Sequence, residues 1–245
     1  KAVQALEQYN ENIGRAEHRI KFEESVLEQV TNTLQRLREL TVQANNGTQG
    51  TSNRQMIGEE VRELHEHLIQ LANTQDGTGE YLFAGTHSKT IPYPYDSETG
   101  TVEYAGGPMR FVQVGPGRSS PTTHPGEEVF GQGGDNLFNL VGRLADALED
   151  PESVDDIHAE LGSALNGLDR FTDDLLAARA QNGARLNALD QELNANEVAA
   201  LELETALSAT RDLDYNKAIS DFNLQLVGLQ AAQQTYMKIQ GLSLF

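Results

Sequence analysis

The side chains best suited to chemistry are a histidine pair, His65 and His67, and a cluster formed by Asp155, Asp156 and His158. Metal binding or acid–base catalysis would be the chemistry of such groups. Residues two positions apart on a helix point about 200° away from each other, so the histidine pair cannot grip one ion. The acidic cluster lies at a predicted helix start, which aspartates stabilise. Neither group therefore predicts a catalytic or metal site.

Two glycine-rich stretches have the composition of a calcium or phosphate loop, but each is incomplete. Asp76-Gly77-Thr78-Gly79 has neither the repeated aspartates of a calcium loop nor the lysine of a phosphate loop. The stretch 131–136 precedes a predicted helix without following an apolar strand. The chain also has no cysteine, which excludes thiolate catalysis and disulfides. We therefore predict no enzyme, no metal and no cofactor.

The charge and hydropathy of the chain limit its partners. Its 245 residues include 37 acidic and 18 basic ones, for a formal charge of −19. Nucleic acid is not an expected partner, because its phosphates bind basic surfaces. No apolar run is long enough to span a membrane, so no membrane contact is expected. The chain starts at Lys1 without a secretion signal, and we expect it to be a fragment.

Apolar residues recur every seven positions in two long segments, a pattern typical of helices that pack as coiled coils. The first segment runs from about Ala2 to Asn46, and the second begins near Val154 and continues to Thr210. Polar residues, among them Asn182 and Asn196, occupy the seam of the second. A break at Asn182-Gly183 is the alternative to one continuous helix. Shorter helices are predicted from Ser52, at 136–148 and from Tyr215.

Most of the glycine and proline residues lie between Gly77 and Gly134. There we predict strands at 80–84, 102–104 and 109–114, followed by a loop over 119–134. The predicted fold class is mostly α with a β insert. Residues 1–76 and 135–245 form a long antiparallel coiled-coil-like helical rod domain, and residues 77–134 form a small antiparallel β domain.

Two arginines beside the first seam are unusual in so acidic a chain. Arg36 and Arg38 could pair with carboxylates of a neighbouring helix or of another subunit, and an ordinary solvated helix face is the alternative. The last helix has an apolar stripe that would be exposed in a monomer. The expected subunit interface comprises Gln35, Arg36, Arg38, Glu39, Arg185, Tyr215, Phe222, Leu226, Leu229 and Tyr236.

Five stretches of the chain resemble a known family. Residues 34–48, LQRLRELTVQANNGT, closely resemble the N-terminal conserved helix of bacterial flagellins and their relatives. Residues 71–85, LANTQDGTGEYLFAG, and the ending YMKIQGLSLF are similar to the hook-filament junction branch of this flagellin-like family. Residues 182–187 and 212–215 fit the shared C-terminal arm.

The resemblance implies a flagellin-like structural subunit without catalysis. It implies a ring of about eleven copies between hook-associated protein one and flagellin, and secretion by the flagellar type III apparatus to the extracellular flagellum. It also implies an export chaperone at the C-terminal helix, which from about residue 215 belongs partly to an inner-tube terminal domain. The family has a further segment before the position of Lys1, so we expect the isolated chain to be a monomer.

Three other functions stay open from the sequence. The chain could be filament flagellin itself, which is distinguished by a different ending. It could be a coiled-coil surface adhesin, which would form a stable dimer or trimer. An enzyme housed in the β insert is the third alternative.

Overall fold

The computed structural model describes residues 2–96, 100–211 and 215–242. In these residues there are six helices: α1 (Ala2–Ala44), α2 (Thr51–Ala72), α3 (Gly126–Phe130), α4 (Leu137–Glu149), α5 (Ile157–Arg211) and α6 (Tyr215–Leu242). The same residues contain four strands: β1 (Phe111–Gly115), β2 (Arg118–Pro121), β3 (Gly131–Gln132) and β4 (Asp135–Asn136). Strand β1 pairs antiparallel with β2, and β3 pairs antiparallel with β4. The predicted fold class, mostly helical with a small antiparallel β insert, is confirmed.

The chain divides into two compact units, residues 1–197 and 198–245. The first unit contains α1 to α4, all four strands and most of α5. The second contains the end of α5 and α6. Large apolar side chains such as Leu27 and Leu168 are buried in the first unit, whereas Leu203 and Leu229 are exposed in the second.

The seven-residue repeat determines which face of α1 packs into the core. Leu6, Ile13, Ile20, Leu27 and Leu34 are all buried, as the repeat predicts. At 1.5 Å per residue the 43 residues of α1 extend over about 65 Å. A helix of this length is stabilised mainly by the packing of its apolar face.

The turn between α1 and α2 is built differently from the prediction. Helix α1 ends at Ala44, and α2 begins at Thr51, with Gly50 as its N-cap and no side-chain cap. The predicted capping pattern from Ser52 is therefore wrong. Instead, the Nε of Arg54 donates to the carbonyl of Ala44 at 3.1 Å, which supplies one of the bonds that the end of α1 lacks.

Helix α5 is continuous through Asn182 and Gly183, so the alternative of a break there is wrong. It begins at Ile157, a few residues later than predicted. The Oδ1 of Asp156 accepts the backbone N–H groups of His158 and Ala159, at 3.0 and 3.2 Å. The interpretation of this acidic cluster as a helix start is confirmed.

Only one of the three predicted strands is a full strand. The prediction at 109–114 corresponds to β1, whereas Tyr81 and Val102 make single bridges, to Gln75 and Tyr95. The backbone of Val102 bonds to two asparagine side chains where a strand would bond to a second strand. Its N–H donates to the Oδ1 of Asn139 at 3.0 Å, and its carbonyl accepts the Nδ2 of Asn136 at 2.6 Å. The predicted strands at 80–84 and 102–104 are therefore wrong.

The predicted loop at 119–134 is also wrong, because it contains β2, α3 and β3. The hairpin of β1 and β2 is held on both sides by helices. Asn12 of α1 donates its Nδ2 to the carbonyl of Gln113 at 2.8 Å, and Asn196 of α5 donates its Nδ2 to Val114 at 2.9 Å.

The insert shares its core with the helices. Tyr93 packs its ring against Phe130 of α3 and Phe138 of α4, with centroids 5.7 and 4.6 Å apart, and Phe83 packs edge-on against Phe130 at 5.0 Å. These rings lie in one apolar cluster with α1, α2, α4 and α5. Folding of the insert is thus coupled to that of the helices.

Candidate assembly surfaces

The predicted interface residues on α1 are exposed and join this helix to its neighbours. Arg36 bonds Glu60 of α2 through Nε at 2.8 Å, and its Nη1 lies 3.3 Å from Glu39. Arg38 donates its Nε to Asp169 of α5 at 2.7 Å. Hydrogen bonds to Glu60 and Asp169 raise the pKa of the two guanidinium groups. Gln35 is exposed beside them.

These ion pairs lie at the surface, so they contribute little to stability. The carboxylates of Glu60 and Asp169 come from neighbouring helices of the same chain, whereas that of Glu39 comes from α1 itself. The face around Gln35, Arg36, Arg38 and Glu39 is accessible to a second subunit, and its role as an interface stays a prediction.

The predicted interface residues on α6 present an apolar stripe to solvent. Phe222 is 62% exposed, Leu226 39% and Leu229 56%. Tyr236 is similarly exposed. The side chain of Tyr215 lies outside the described residues. Over residues 201–209 and 217–239 every side chain except that of Ala218 is exposed.

A groove of about 1110 Å³ lies between the N-terminal half of α1, the 76–80 turn and β1. Its rim carries the exposed rings of Phe22 and Phe111. Its floor is an ion network in which Arg19 contacts Asp76 at 2.5 Å and Glu80 at 2.9 Å. The sequence did not predict this surface, since its parts are distant in the chain.

Asp76 also shapes the turn at the groove. Its Oδ1 accepts Thr78 through N–H and hydroxyl, at 2.9 and 2.6 Å, and the N–H of Glu80 at 3.1 Å. Burial opposes ionisation, but these hydrogen bonds and the charge of Arg19 outweigh it and hold the pKa of Asp76 below its ordinary value. The interpretation of 76–79 as a turn is confirmed.

The two histidines that suggested a metal site point to different sides of α2. His65 is buried and His67 is exposed. Burial lowers the pKa of His65, which favours the neutral form of its ring. Within the described residues no group of three or more His, Asp or Glu side chains is placed to hold a metal ion. Nor is any described helix long and apolar enough to cross a membrane.

Residues 1–88 match the model of the bacterial flagellin N-terminal helical region. The chain is 32% identical over 249 residues to flagellar hook-associated protein 3 of Escherichia coli (strain K12), with 94% of this chain and 77% of that protein covered. The same figures hold for flagellar hook-associated protein 3 of Salmonella typhimurium. The chain belongs to the hook-associated protein 3 family.

A solved structure of flagellar hook-associated protein 3 from Legionella pneumophila shares the fold, with a TM-score of 0.77 at 18% identity, and the match covers 86% of this chain and 98% of that one. The relatives are structural flagellar proteins, so the predictions of a structural role and of no enzyme activity are confirmed. The protein is a component of the bacterial flagellum.

One buried polar cluster was not predicted from the sequence. Glu23 of α1 is fully buried, and its Oε1 accepts the backbone N–H of His124 at 3.0 Å and faces the ring Nδ1 at 2.8 Å. Arg185, a predicted interface residue, lies half-buried beside this ring, with Nη1 3.5 Å from Nδ1, and burial lowers its pKa. Glu23 occupies a seam position of the seven-residue repeat, and a charged residue at such a position was the sequence signal for this cluster.

Proposed function

We propose that the chain is a subunit of the ring that joins the hook-associated zone to the flagellin filament. In this proposal about eleven copies form the ring, with hook-associated protein one on one side and flagellin on the other. The observation that carries the proposal is the 32% identity to flagellar hook-associated protein 3 over most of both chains. The role is mechanical, because the ring provides a surface that fits each neighbour.

The packing of the first unit supports a mechanical role. The apolar face of α1 is buried along the helix by the seven-residue repeat, and its side chains share a core cluster with those of α2 and α5. The β1–β2 hairpin adds hydrogen bonds to both α1 and α5. A subunit tied together in this way resists bending. The groove and the face around Arg36 are the two surfaces of this unit that we propose for contacts with other subunits.

The exposed stripe of α6 supports a second part of the proposal. Apolar stripes of this size are covered by a partner in the working protein. We propose that α6 belongs partly to an inner-tube domain in the assembled flagellum, and that an export chaperone covers it beforehand. The isolated chain would be a monomer whose α6 lacks this cover.

The domain division and the export route are also part of the proposal. Residues 1–76 and 135–245 would form the helical rod domain, and residues 77–134 would form a β domain on the outside of the ring. The protein would leave the cell through the flagellar type III apparatus. A chain without cysteine has no disulfide to open before passing that channel unfolded.

The test of the proposal uses a bacterium that lacks its own hook-associated protein 3. The full-length protein is expected to restore filament growth on hooks, and the pair F222D and L229D is expected to abolish it. Q225D, an exposed position of the same helix, is the matched control and should leave growth intact. Filament growth by the F222D/L229D protein, at equal export, would contradict the role of the stripe.

The chaperone is tested separately by a pull-down from cell extract. Deletion of residues 215–245 is expected to abolish capture of the export chaperone. Retention of the chaperone by the shortened chain would show that its site is elsewhere, and would leave the ring proposal intact.

A further inference from the structure

Three Asn-Gly dipeptides occur in the chain, and the structure places them in three different environments. Asn46-Gly47 lies in the turn between α1 and α2, and Asn46 is exposed. Asn166-Gly167 and Asn182-Gly183 both lie inside α5, where Asn166 is exposed and Asn182 is buried. Comparison of the three dipeptides therefore distinguishes the effect of helix geometry on asparagine reactivity from the effect of exposure.

The side chain of Asn46 is held in a specific conformation. Its Oδ1 accepts two hydrogen bonds from Thr48, one from the backbone N–H at 3.2 Å and one from the hydroxyl at 3.1 Å. Two donors on a carbonyl oxygen draw electron density from its carbon and stabilise negative charge that develops on the oxygen, as an oxyanion hole does. The amide carbon of Asn46 is thereby activated towards a nucleophile.

The nucleophile would be the backbone nitrogen of Gly47. Glycine has no Cβ to obstruct a close approach. A Cβ built at Gly47 would have no heavy atom within 4 Å apart from those of its chain neighbours, so the rest of the chain leaves this residue open. The turn is also outside the helical hydrogen-bond ladder that restrains the backbone in α1 and α2.

We propose that Asn46 is a site of spontaneous deamidation in the native protein. The nitrogen of Gly47 attacks Cγ of Asn46 and loses its proton, a C–N bond forms, and the side-chain amide nitrogen takes up a proton and leaves as ammonia. The product is a five-membered succinimide. Water then adds to one of its two carbonyl carbons, and opening of the ring gives aspartate or isoaspartate. The net reaction consumes one water and releases one ammonia.

The two dipeptides in α5 are protected by the helix. Each backbone N–H of a helix is bound to the carbonyl four residues earlier, and the fixed dihedral angles keep that nitrogen from the side-chain carbon of the preceding residue. Asn166 is exposed, as Asn46 is. The difference in deamidation rate between Asn46 and Asn166 therefore comes from helical geometry and not from burial.

Deamidation would change the turn in two ways. It adds a carboxylate beside Asn45, whose Oδ1 lies 2.6 Å from the Nδ1 of His158. The isoaspartate form also adds a methylene to the main chain between α1 and α2. In the assembly proposed above, such a change would accumulate in each subunit with time.

The test is a time course of the folded chain in mildly alkaline buffer, followed by tryptic digestion and mass spectrometry. Trypsin places the three asparagines in separate peptides, 39–54, 144–170 and 180–185. Conversion of Asn46 is expected to be about tenfold or more faster than that of Asn166 or Asn182, whose reaction requires local opening of the helix. The unfolded chain is the control, because there the three rates should be similar.

Two variants test the chemistry itself. Gly47→Ala fits the open space and is expected to slow conversion about tenfold, because the added methyl hinders the attack. Thr48→Val removes the hydroxyl donor and should slow it by a smaller factor, whereas Thr48→Ser should restore the rate. Equal rates at Asn46 and Asn166 in the folded chain, or an unchanged rate in Gly47→Ala, would overturn the proposal.

Discussion

The two compact units of the chain use the same kind of apolar repeat with opposite results. In residues 1–197 the repeat is buried, as at Leu27 and Leu168, in a core that α1, α2, α4 and α5 share. In residues 198–245 the corresponding side chains, such as Leu203 and Leu229, are exposed. A helical apolar repeat therefore shows that a stripe needs a partner. It does not show whether that partner is in the same chain.

The largest effect expected from this comparison is in the core. Leu27→Ala removes a fully buried side chain and should lower the free energy of unfolding by about 2–5 kcal/mol. Leu229→Ala, at an exposed position, should change it by less than about 0.5 kcal/mol. Urea unfolding followed by circular dichroism measures both. Similar losses in the two variants would mean that α6 is packed in solution.

The second-largest change in the free energy of unfolding is expected at the buried cluster of Glu23 and His124. Glu23→Ala leaves the backbone N–H of His124 without its acceptor, and we expect a loss of about 1–3 kcal/mol in the free energy of unfolding. Glu28→Ala, an exposed position of the same helix, is the control and should be close to neutral. The same urea experiment applies, and a neutral Glu23→Ala would show that water replaces the carboxylate.

Acid should weaken the first unit through Asp76. Because the pKa of Asp76 is lower in the folded chain than its ordinary value of 3.8, its stabilisation is complete above that value and is lost as the pH falls through the folded pKa. Asp76→Asn should therefore be less stable than the parent chain at neutral pH, and the difference should shrink in acid. Melting temperatures of both chains, measured from neutral pH into the acid range, test the prediction. The exposed Asp173→Asn is the control. A constant difference would contradict it.

The smallest effect on stability is expected at the surface of α1. Arg36→Ala removes two exposed ion pairs, to Glu39 and Glu60, and should leave unfolding unchanged within error. If this face meets another subunit, the same variant should reduce the number of hooks that carry filaments, as counted by electron microscopy. Normal filament numbers would remove Arg36 from the proposed interface.

The sequence predicted the helices well, because their order depends on a regular repeat. Burial of Leu6, Ile13 and Ile20 follows directly from their spacing. The β region was predicted poorly, because there the backbone bonds to distant side chains. Val102 bonds to Asn136 and Asn139 of the α4 start, and neither residue has a local pattern that reveals it.

The candidate surfaces also differ in whether the sequence could predict them. The stripe containing Phe222 and Leu226 could be predicted because it lies on one helix. The groove could not, since Phe22 and Phe111 come from segments far apart in the chain. Asn196 was predicted as a polar seam residue, but its partner, the carbonyl of Val114, lies in a hairpin. Only the folded chain shows that this asparagine attaches β1 to α5.

The turn of the β1–β2 hairpin offers a place to carry foreign sequence. Pro116 and Gly117 are exposed, Gly117 has a φ of 70°, and no heavy atom lies within 4 Å of a Cβ built there. On one side of Pro116 and Gly117, strand β1 is anchored to α1 and α5 through Gln113 and Val114, and on the other side Arg118 of β2 forms an ion pair with Glu192 of α5. A peptide inserted between these two residues of the turn would be displayed on a rigid base, away from the aromatic core that holds the rest of the insert.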